Sequence, residues 1–373
     1  MPRVEVDPDG LQEFSVVFTD RSLNHMSRRF QQVMRDISAI SREVYNAQEV
    51  ALVPGGGTFA MEAVARQFAR DCNALIVRNG WFSFRWSQIH AAGGFAGTAE
   101  VEKARPAGNA PRPAYAPPPI ETVVQEILSM RPAVVFAPHV ETSAGLILPD
   151  DYIRALADAA HEVGALLVLD CIASGAIWVD MQATGVDVLI SAPQKGWSGS
   201  PAAGMVMFSA MGAARLAETN SDSFALDLKK WRAIMKAYED GGHAYHATMP
   251  TDALVVLRDA MIETREMGWE AAREAQWRLG DAVRAALRER GVRSVAADGF
   301  GAPGVVVGYT DDPAIQNGSK FAERGVQIAA GVPLQVDEGD DFRTFRIGLF
   351  GLDKLKDVDG TVARLTAVLD KVL

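Results

Sequence analysis

Short apolar segments alternate with amphipathic segments from about residue 49 to about residue 208. The apolar segments predict strands at 50–53, Ala74–Arg78, 133–137, Leu166–Asp170 and 186–191. The stretches between them, such as 59–70 and 151–163, have the spacing of helices. Nearly continuous aliphatic strands are typical of a sheet that is buried on both faces. The sequence therefore predicts an α/β fold with a mostly parallel central sheet and helices on both faces.

The pattern changes after about residue 245. Residues 249–291 predict one long helix, and residues 352–373 predict a closing helix. Strands are expected between them at 305–309, 326–328 and 342–347. We therefore predict an N-terminal segment (1–18), a large domain (19–265) and a smaller C-terminal α+β domain (266–373). The segment 105–119 contains six prolines and is expected to be a surface connection.

Composition excludes several functional classes. The net charge of −10 argues against a nucleic-acid partner or an anionic membrane, because both require a basic surface. The two cysteines, Cys72 and Cys171, give no disulfide framework. The chain begins without the apolar stretch of a signal peptide and has no segment near the about 18 apolar residues of a membrane span. We expect a cytoplasmic protein, with no metal site.

Two charged residues stand at the ends of predicted strands. Asp170 ends one strand, and Lys195 follows the next strand along the chain. Open α/β sheets bind their ligands at the carboxyl ends of the strands. A carboxylate and an amine there are the groups that pyridoxal phosphate requires, the amine for a Schiff base and the carboxylate for the ring nitrogen. A solvated lysine and a turn aspartate are the alternative interpretations.

Each of the other candidate site residues, taken alone, is weaker evidence for a cofactor site. Gly57 and Thr58 belong to a glycine-rich turn before a predicted helix, where backbone N–H groups can approach a phosphate, although such turns also serve ordinary strand–helix connections. Thr142 follows the strand 133–137 and also fits a simple polar loop. Thr248 also fits a helix cap before Pro250. Arg346 lies in an apolar strand and needs a carboxylate partner, either structural or a ligand.

In this order and spacing, these residues resemble the class V aminotransferases of fold type I, particularly the alanine–glyoxylate and serine–pyruvate aminotransferases. The resemblance implies the pyridoxal phosphate-dependent transferase fold and a transaminase that uses pyridoxal 5′-phosphate. The expected substrates are a small amino acid and a 2-oxo acid, glyoxylate or pyruvate, in a ping-pong reaction. It implies that Lys195 is the Schiff-base lysine and general base, and that Asp170 pairs with the ring nitrogen.

The same resemblance assigns further residues. It places Gly57, Thr58 and Gln194 at the cofactor phosphate and Thr142 near the phenolic oxygen of the ring. It places Phe82 over the ring, with Trp81 one residue away as the alternative, and Arg346 on the substrate carboxylate. Tyr245 and Thr248 match a segment that reaches the phosphate of the neighbouring subunit, which implies a homodimer with shared active sites.

One segment departs from the family pattern. Relatives carry a Gly-Pro-rich loop near the N-terminus, whereas this chain has Arg21 and His25 there. Arg21 and His25 are candidates to face a second anionic or polar group on the substrate. A helix-capping turn with a surface arginine is the alternative.

Three other functions remain as alternatives. A lyase or cysteine desulfurase on the same fold is disfavoured, because Gln194 stands where those enzymes carry histidine and no cysteine follows Cys171. A 2-aminoethylphosphonate–pyruvate aminotransferase would require Arg346 to hold a phosphonate. A non-catalytic regulator is disfavoured by the absence of a helix-turn-helix pattern and by the negative net charge.

Overall fold

The computed structural model describes residues 4–373. Its helices, in chain order, are α1 (Arg28–Tyr45), α2 (Gly57–Phe68), α3 (Phe84–Gly93), α4 (Ile120–Met130), α5 (Asp150–Glu162), α6 (Met181–Thr184), α7 (Ala210–Glu218), α8 (Leu228–Glu239), α9 (Thr251–Met267), α10 (Trp269–Glu289), α11 (Pro313–Gln316), α12 (Ser319–Ala322), α13 (Leu352–Lys356) and α14 (Val358–Val372). Its strands are β1 (Glu49–Pro54), β2 (Ala74–Arg78), β3 (Ala99–Lys103), β4 (Arg105–Pro106), β5 (Tyr115–Ala116), β6 (Val134–Pro138), β7 (Val140–Glu141), β8 (Leu146–Ile147), β9 (Leu166–Asp170), β10 (Val188–Ser191), β11 (Ala203–Phe208), β12 (Val305–Tyr309), β13 (Ala329–Ala330) and β14 (Thr344–Gly348).

A seven-stranded sheet in the order β1-β11-β10-β9-β6-β2-β3 forms the centre of the fold. Six of these strands run in one direction, and β11 runs in the opposite direction. Strands β2, β6, β9 and β10 are buried along their whole length. Burial on both faces accounts for their aliphatic composition, and the prediction of a mostly parallel α/β sheet is confirmed.

One apolar core surrounds this sheet and includes residues from Leu23 to Met261. A second core is formed mainly by residues of α10, α14, β12 and β14. The domain boundaries at 18/19 and 265/266 stay a prediction. Among residues 4–373, no helix has the length and apolarity that crossing a bilayer requires.

Several predicted elements differ from the structure, each for a local reason. The helix expected over 249–291 is two helices, because Gly268 between them has a φ of 94°. The closing helix is also divided, at Asp357, whose carboxylate accepts the Gly360 N–H and caps α14. The strand expected at 326–328 is wrong: the pairing with β14 is made by Ala329–Ala330 instead.

Three features were not predicted from the sequence. Helix α1 begins after Ser27, whose side chain accepts the Phe30 N–H as an N-cap. Strand β3 lies at the sheet edge and is partly exposed, so it lacks the apolar pattern of the central strands. The proline-rich segment is more than a surface connection, because Tyr115 in it is buried and its N–H donates to the Val295 carbonyl.

Candidate active site

Asp170 is the last residue of β9, which pairs in parallel with β10. Its side chain is buried, and one oxygen accepts the Ile172 backbone N–H at 2.9 Å. Among residues 4–373, no basic side chain forms an ion pair with Asp170. Burial raises its pKa to about 7, with a further rise from Glu141, while the Ile172 hydrogen bond and Arg85 act in the opposite direction. A buried acid without a cation is suited to a cationic ligand.

Lys195 lies in the turn that follows β10 and is half-buried. The turn is tightly packed, because a Cβ on Gly196 would lie 2.0 Å from the Gly175 carbonyl oxygen. The Lys195 Nζ lies 5.3 Å from the centre of the Phe350 ring. Burial, then Arg346, then Arg85 lower the pKa of Lys195. Its amine therefore loses a proton more readily than a solvated lysine, as nucleophilic and general-base roles require.

The Glu141 carboxylate organises the loop that follows β2. It accepts backbone N–H groups of Phe82 (3.2 Å), Ser83 (2.9 Å) and Ser143 (3.0 Å), and the hydroxyls of Ser83 and Ser143, both at 2.7 Å. Glu141 is fully buried, so these five hydrogen bonds replace its hydration. A Cβ on Gly80 would lie 2.1 Å from Ser143 Oγ, and glycine there permits the close approach.

Two guanidinium groups lie close to the ring of Phe82, at the end of this loop. Arg85 Cζ is 5.0 Å and Arg346 Cζ is 5.4 Å from the centre of the Phe82 ring. Trp81 instead packs against Phe84, with ring centres 6.0 Å apart. Phe82 stays the predicted residue over the cofactor ring, with Trp81 as the alternative.

The glycine-rich turn is fixed next to Asp170. Gly57 is the first residue of α2, and a Cβ at this position would lie 2.5 Å from Ile172 Cδ1. Thr58 is exposed, and its hydroxyl accepts a hydrogen bond from Arg85 Nη1 at 3.0 Å. The N–H groups at the start of α2 are therefore presented at the same edge of the sheet as Asp170.

Arg346 lies in β14, and its Nε donates to the Ala330 carbonyl at 2.8 Å. Burial lowers its pKa, and Glu141 opposes this effect. Its charge is one of the causes that lower the pKa of Lys195. Thr142 is buried beside Glu141, and Gln194 is exposed beside Lys195. The structure thus joins Thr58, Phe82 and Arg346 through contacts with Arg85 and Phe82, and it places Gly57 against Ile172, which follows Asp170 by two residues. The roles of Thr142, Gln194 and Lys195 stay predictions.

Tyr245, Thr248 and Arg21 have different surroundings. Tyr245 is 53% exposed, and its hydroxyl pairs with Thr248 Oγ1 at 3.1 Å. The His25 ring lies 5.5 Å from the Tyr245 ring, so the N-terminal segment packs beside this pair. Arg21 is exposed. Within residues 4–373, no hydrogen bond or ring contact joins Tyr245, Thr248 or Arg21 to Lys195 or Asp170.

Sequence reasoning missed Arg85 and Phe350 and gave no role to Glu141. Arg85 follows Phe82 by three residues at the start of a helix, and this spacing places the two on the same side. No comparable signal marks Phe350, because its contact with Lys195 joins distant parts of the chain.

Residues 11–298 match the family Aminotransferase class-V. This chain belongs to the class V aminotransferases. It is 31% identical over 328 residues to a 2-aminoethylphosphonate–pyruvate transaminase of Burkholderia pseudomallei, covering 85% of this chain and 82% of the relative. It is also 27% identical over 350 residues to a protein named soluble hydrogenase, small subunit, of Synechococcus sp., covering 93% of this chain and 87% of the relative.

A solved alanine–glyoxylate aminotransferase from Nostoc sp. has a similar fold, with a TM-score of 0.78 and 23% identity, covering 93% of this chain and 88% of that one. Class V aminotransferases depend on pyridoxal phosphate, which is therefore the cofactor of this enzyme. The residues present fit it. Asp170 is a buried carboxyl without a cation, Lys195 is an amine of lowered pKa, and the start of α2 offers N–H groups to a phosphate.

Proposed function

We propose that this aminotransferase moves the amino group of a small amino acid to glyoxylate or pyruvate by a ping-pong mechanism. The observation that carries the proposal is the buried carboxyl of Asp170 at the end of β9, together with the half-buried amine of Lys195 in the turn after the adjacent strand β10. Bound pyridoxal phosphate supplies an aldehyde that takes up the amino group and a ring that delocalises the electrons released at the substrate Cα.

The residues of the chain divide the remaining work. Asp170 holds a proton on the ring nitrogen, and burial makes this pairing strong because no water competes for the carboxylate. Lys195 Nζ removes and returns the proton at the substrate Cα, a role favoured by its lowered pKa. Phe82 packs against the face of the cofactor ring, and the Glu141 carboxylate holds the Phe82 backbone in place.

Arg346 binds the acid group of the substrate. Among residues 4–373, only its Nε donates to a backbone carbonyl, and its planar guanidinium suits a carboxylate in a bidentate arrangement. A phosphonate is tetrahedral rather than planar, but two of its three oxygens can also accept from the guanidinium, and it carries more negative charge. Because curated relatives at 31% identity are named 2-aminoethylphosphonate–pyruvate transaminases, that amine is our second candidate donor.

We disfavour a desulfurase-like lyase. Cys171 is fully buried, and burial raises the pKa of its thiol well above the usual range, so a reactive thiolate is not expected there. We further propose a cytoplasmic homodimer with shared sites. Tyr245 and Thr248 are exposed and lie apart from Lys195 in one chain, which supports a role at the site of the partner subunit.

A half-reaction screen tests the proposal. The purified, cofactor-loaded enzyme is mixed with alanine, serine, aspartate or 2-aminoethylphosphonate, and the visible absorption band of the bound cofactor is followed. We expect at least one donor to bleach the band, and glyoxylate or pyruvate to restore it. Lys195→Ala should bind the amine without turnover. If no amine bleaches the band, or if Lys195→Ala is as active as the wild type, the proposed function is wrong.

A further inference from the structure

Arg85 is a basic side chain that connects two parts of the active site. Its Nη1 donates to Thr58 Oγ1 at 3.0 Å, and its Cζ lies 5.0 Å from the centre of the Phe82 ring. Its charge also acts on both Asp170 and Lys195. Arg85 therefore joins the Phe82 ring, whose backbone Glu141 holds, to the turn at the start of α2.

The charge of Arg85 is not compensated by an acid. Among residues 4–373, no carboxylate forms an ion pair with it. The Glu141 carboxylate already accepts five hydrogen bonds, and Asp170 is buried beside Ile172. Arg85 is partly exposed, so its guanidinium is accessible to an anion from outside the chain.

The surroundings of Arg85 determine the charge of that partner. The exposed N–H groups at the start of α2 carry a partial positive charge, and Thr58, which accepts the Arg85 hydrogen bond, belongs to that first turn. The Arg346 guanidinium, 5.4 Å from the centre of the same Phe82 ring, adds a second cation. A group with two negative charges and several acceptor oxygens satisfies this arrangement better than a single carboxylate.

We propose that Arg85 binds the 5′-phosphate of the cofactor, together with the N–H groups and the Thr58 hydroxyl at the start of α2. The proposal rests on the proposed function and adds a phosphate-binding residue to it. The Phe82 ring, under the guanidinium of Arg85, keeps the planar fork oriented toward the phosphate. One charge-assisted contact of this kind corresponds to about a ten- to hundredfold difference in affinity.

The test compares two ligands that differ only in the phosphate. Cofactor-free wild type, Arg85→Ala and Arg85→Lys are titrated with pyridoxal phosphate and with pyridoxal, and binding is followed by tryptophan fluorescence. We expect Arg85→Ala to weaken pyridoxal phosphate binding about ten- to hundredfold and pyridoxal binding less than about twofold. Arg85→Lys should retain part of the phosphate affinity, because a point charge replaces the planar fork.

Arg278→Ala is the matched control, since Arg278 lies on α10 with an exposed side chain and should change neither affinity. Equal losses for both ligands, or no loss for either, would overturn the assignment. The assignment would also be overturned if Arg85→Ala kept the cofactor affinity but raised the KM for the amino donor, because Arg85 would then bind the substrate. Failure of the proposed function has a different signature: the cofactor-loaded wild type would be bleached by no amino donor, whatever the cofactor affinities of the Arg85 variants.

Discussion

Replacing Asp170 with asparagine should stabilise the cofactor-free protein at pH 8, although it removes a group that the enzyme needs. In the folded chain the pKa of Asp170 rises from 3.8 to about 7, mainly because the carboxyl is buried. Above pH 7 the folded state therefore holds an ionised carboxylate that is paired only with the Ile172 N–H. Asparagine keeps the oxygen that accepts this hydrogen bond and removes the charge.

The size of the effect follows from the pKa difference. A rise of about 3 units, at about 1.4 kcal/mol for each unit, corresponds to about 4 kcal/mol above pH 7. The new amide N–H₂ lacks an acceptor in this site and costs about 1–3 kcal/mol. We therefore expect Asp170→Asn to raise the free energy of unfolding by about 1–3 kcal/mol at pH 8.

The stability difference between Asp170→Asn and the wild type depends on pH. A carboxyl whose pKa is raised on folding leaves the protein most stable below the unfolded pKa, and that stability is lost as the pH rises toward the folded pKa. For Asp170 this window runs from about pH 4 to about pH 7. The advantage of Asp170→Asn should consequently grow across the window and level off above it.

Urea unfolding of cofactor-free wild type and Asp170→Asn at pH 5, 6, 7 and 8, at one protein concentration, measures the difference. Asp71→Asn, at an exposed aspartate, is the control and should show no such trend. With saturating pyridoxal phosphate the wild type should become the more stable of the two proteins, because only the wild type pairs a carboxylate with the nitrogen of the cofactor ring. A variant that is less stable than the wild type by the same amount at every pH would refute the reasoning.

Other predictions concern the groups around Asp170 and Lys195. Glu141→Gln should lower the free energy of unfolding by about 2–4 kcal/mol, because an amide N–H₂ then faces hydrogen-bond donors; unchanged urea unfolding would contradict this. Gly57→Ala should cost about 1–3 kcal/mol by overpacking against Ile172, and Ile172→Val should restore part of the loss, as measured by thermal unfolding. Arg346→Lys should raise the KM for the amino donor more than tenfold, in steady-state assays, while cofactor affinity stays unchanged. Arg21→Ala should lower kcat/KM for acidic or phosphonate donors more than for alanine, and equal losses would refute a role for Arg21 at the distal end of the substrate.

The central sheet could be predicted from sequence because burial on both faces leaves a clear signal. Strands β2 and β9 have the bounds expected from their aliphatic runs. Elements that combine polar and apolar residues were harder, as the edge strand β3 shows. The break at Gly268 also escaped prediction, because helical spacing continues on both sides of it.

Site residues at strand ends were likewise predictable, since the sheet itself places Asp170 and Lys195 at one edge. The contacts of Glu141 and Arg85 could not be predicted, because they join different loops. Glu141 holds Ser83 across 58 positions of sequence, and Arg85 reaches Thr58 across 27. Local sequence patterns carry no information about such contacts until the fold has placed the loops together.

The position of Tyr245 bears on whether the active site is shared between two subunits. Its hydroxyl is engaged only with Thr248, and the ring packs beside His25 of the N-terminal segment. If Tyr245 and Thr248 bind a phosphate, as the family resemblance implies, that phosphate lies in another subunit, and the N-terminal segment is carried there with them. Arg21 would then act on the partner's substrate. A mixed dimer of one Arg21→Ala chain and one Lys195→Ala chain should therefore keep the Arg21-dependent selectivity of the wild type, because its one working Lys195 faces the intact Arg21 of the other chain. Loss of that selectivity would show that Arg21 acts within its own chain and would refute the shared arrangement.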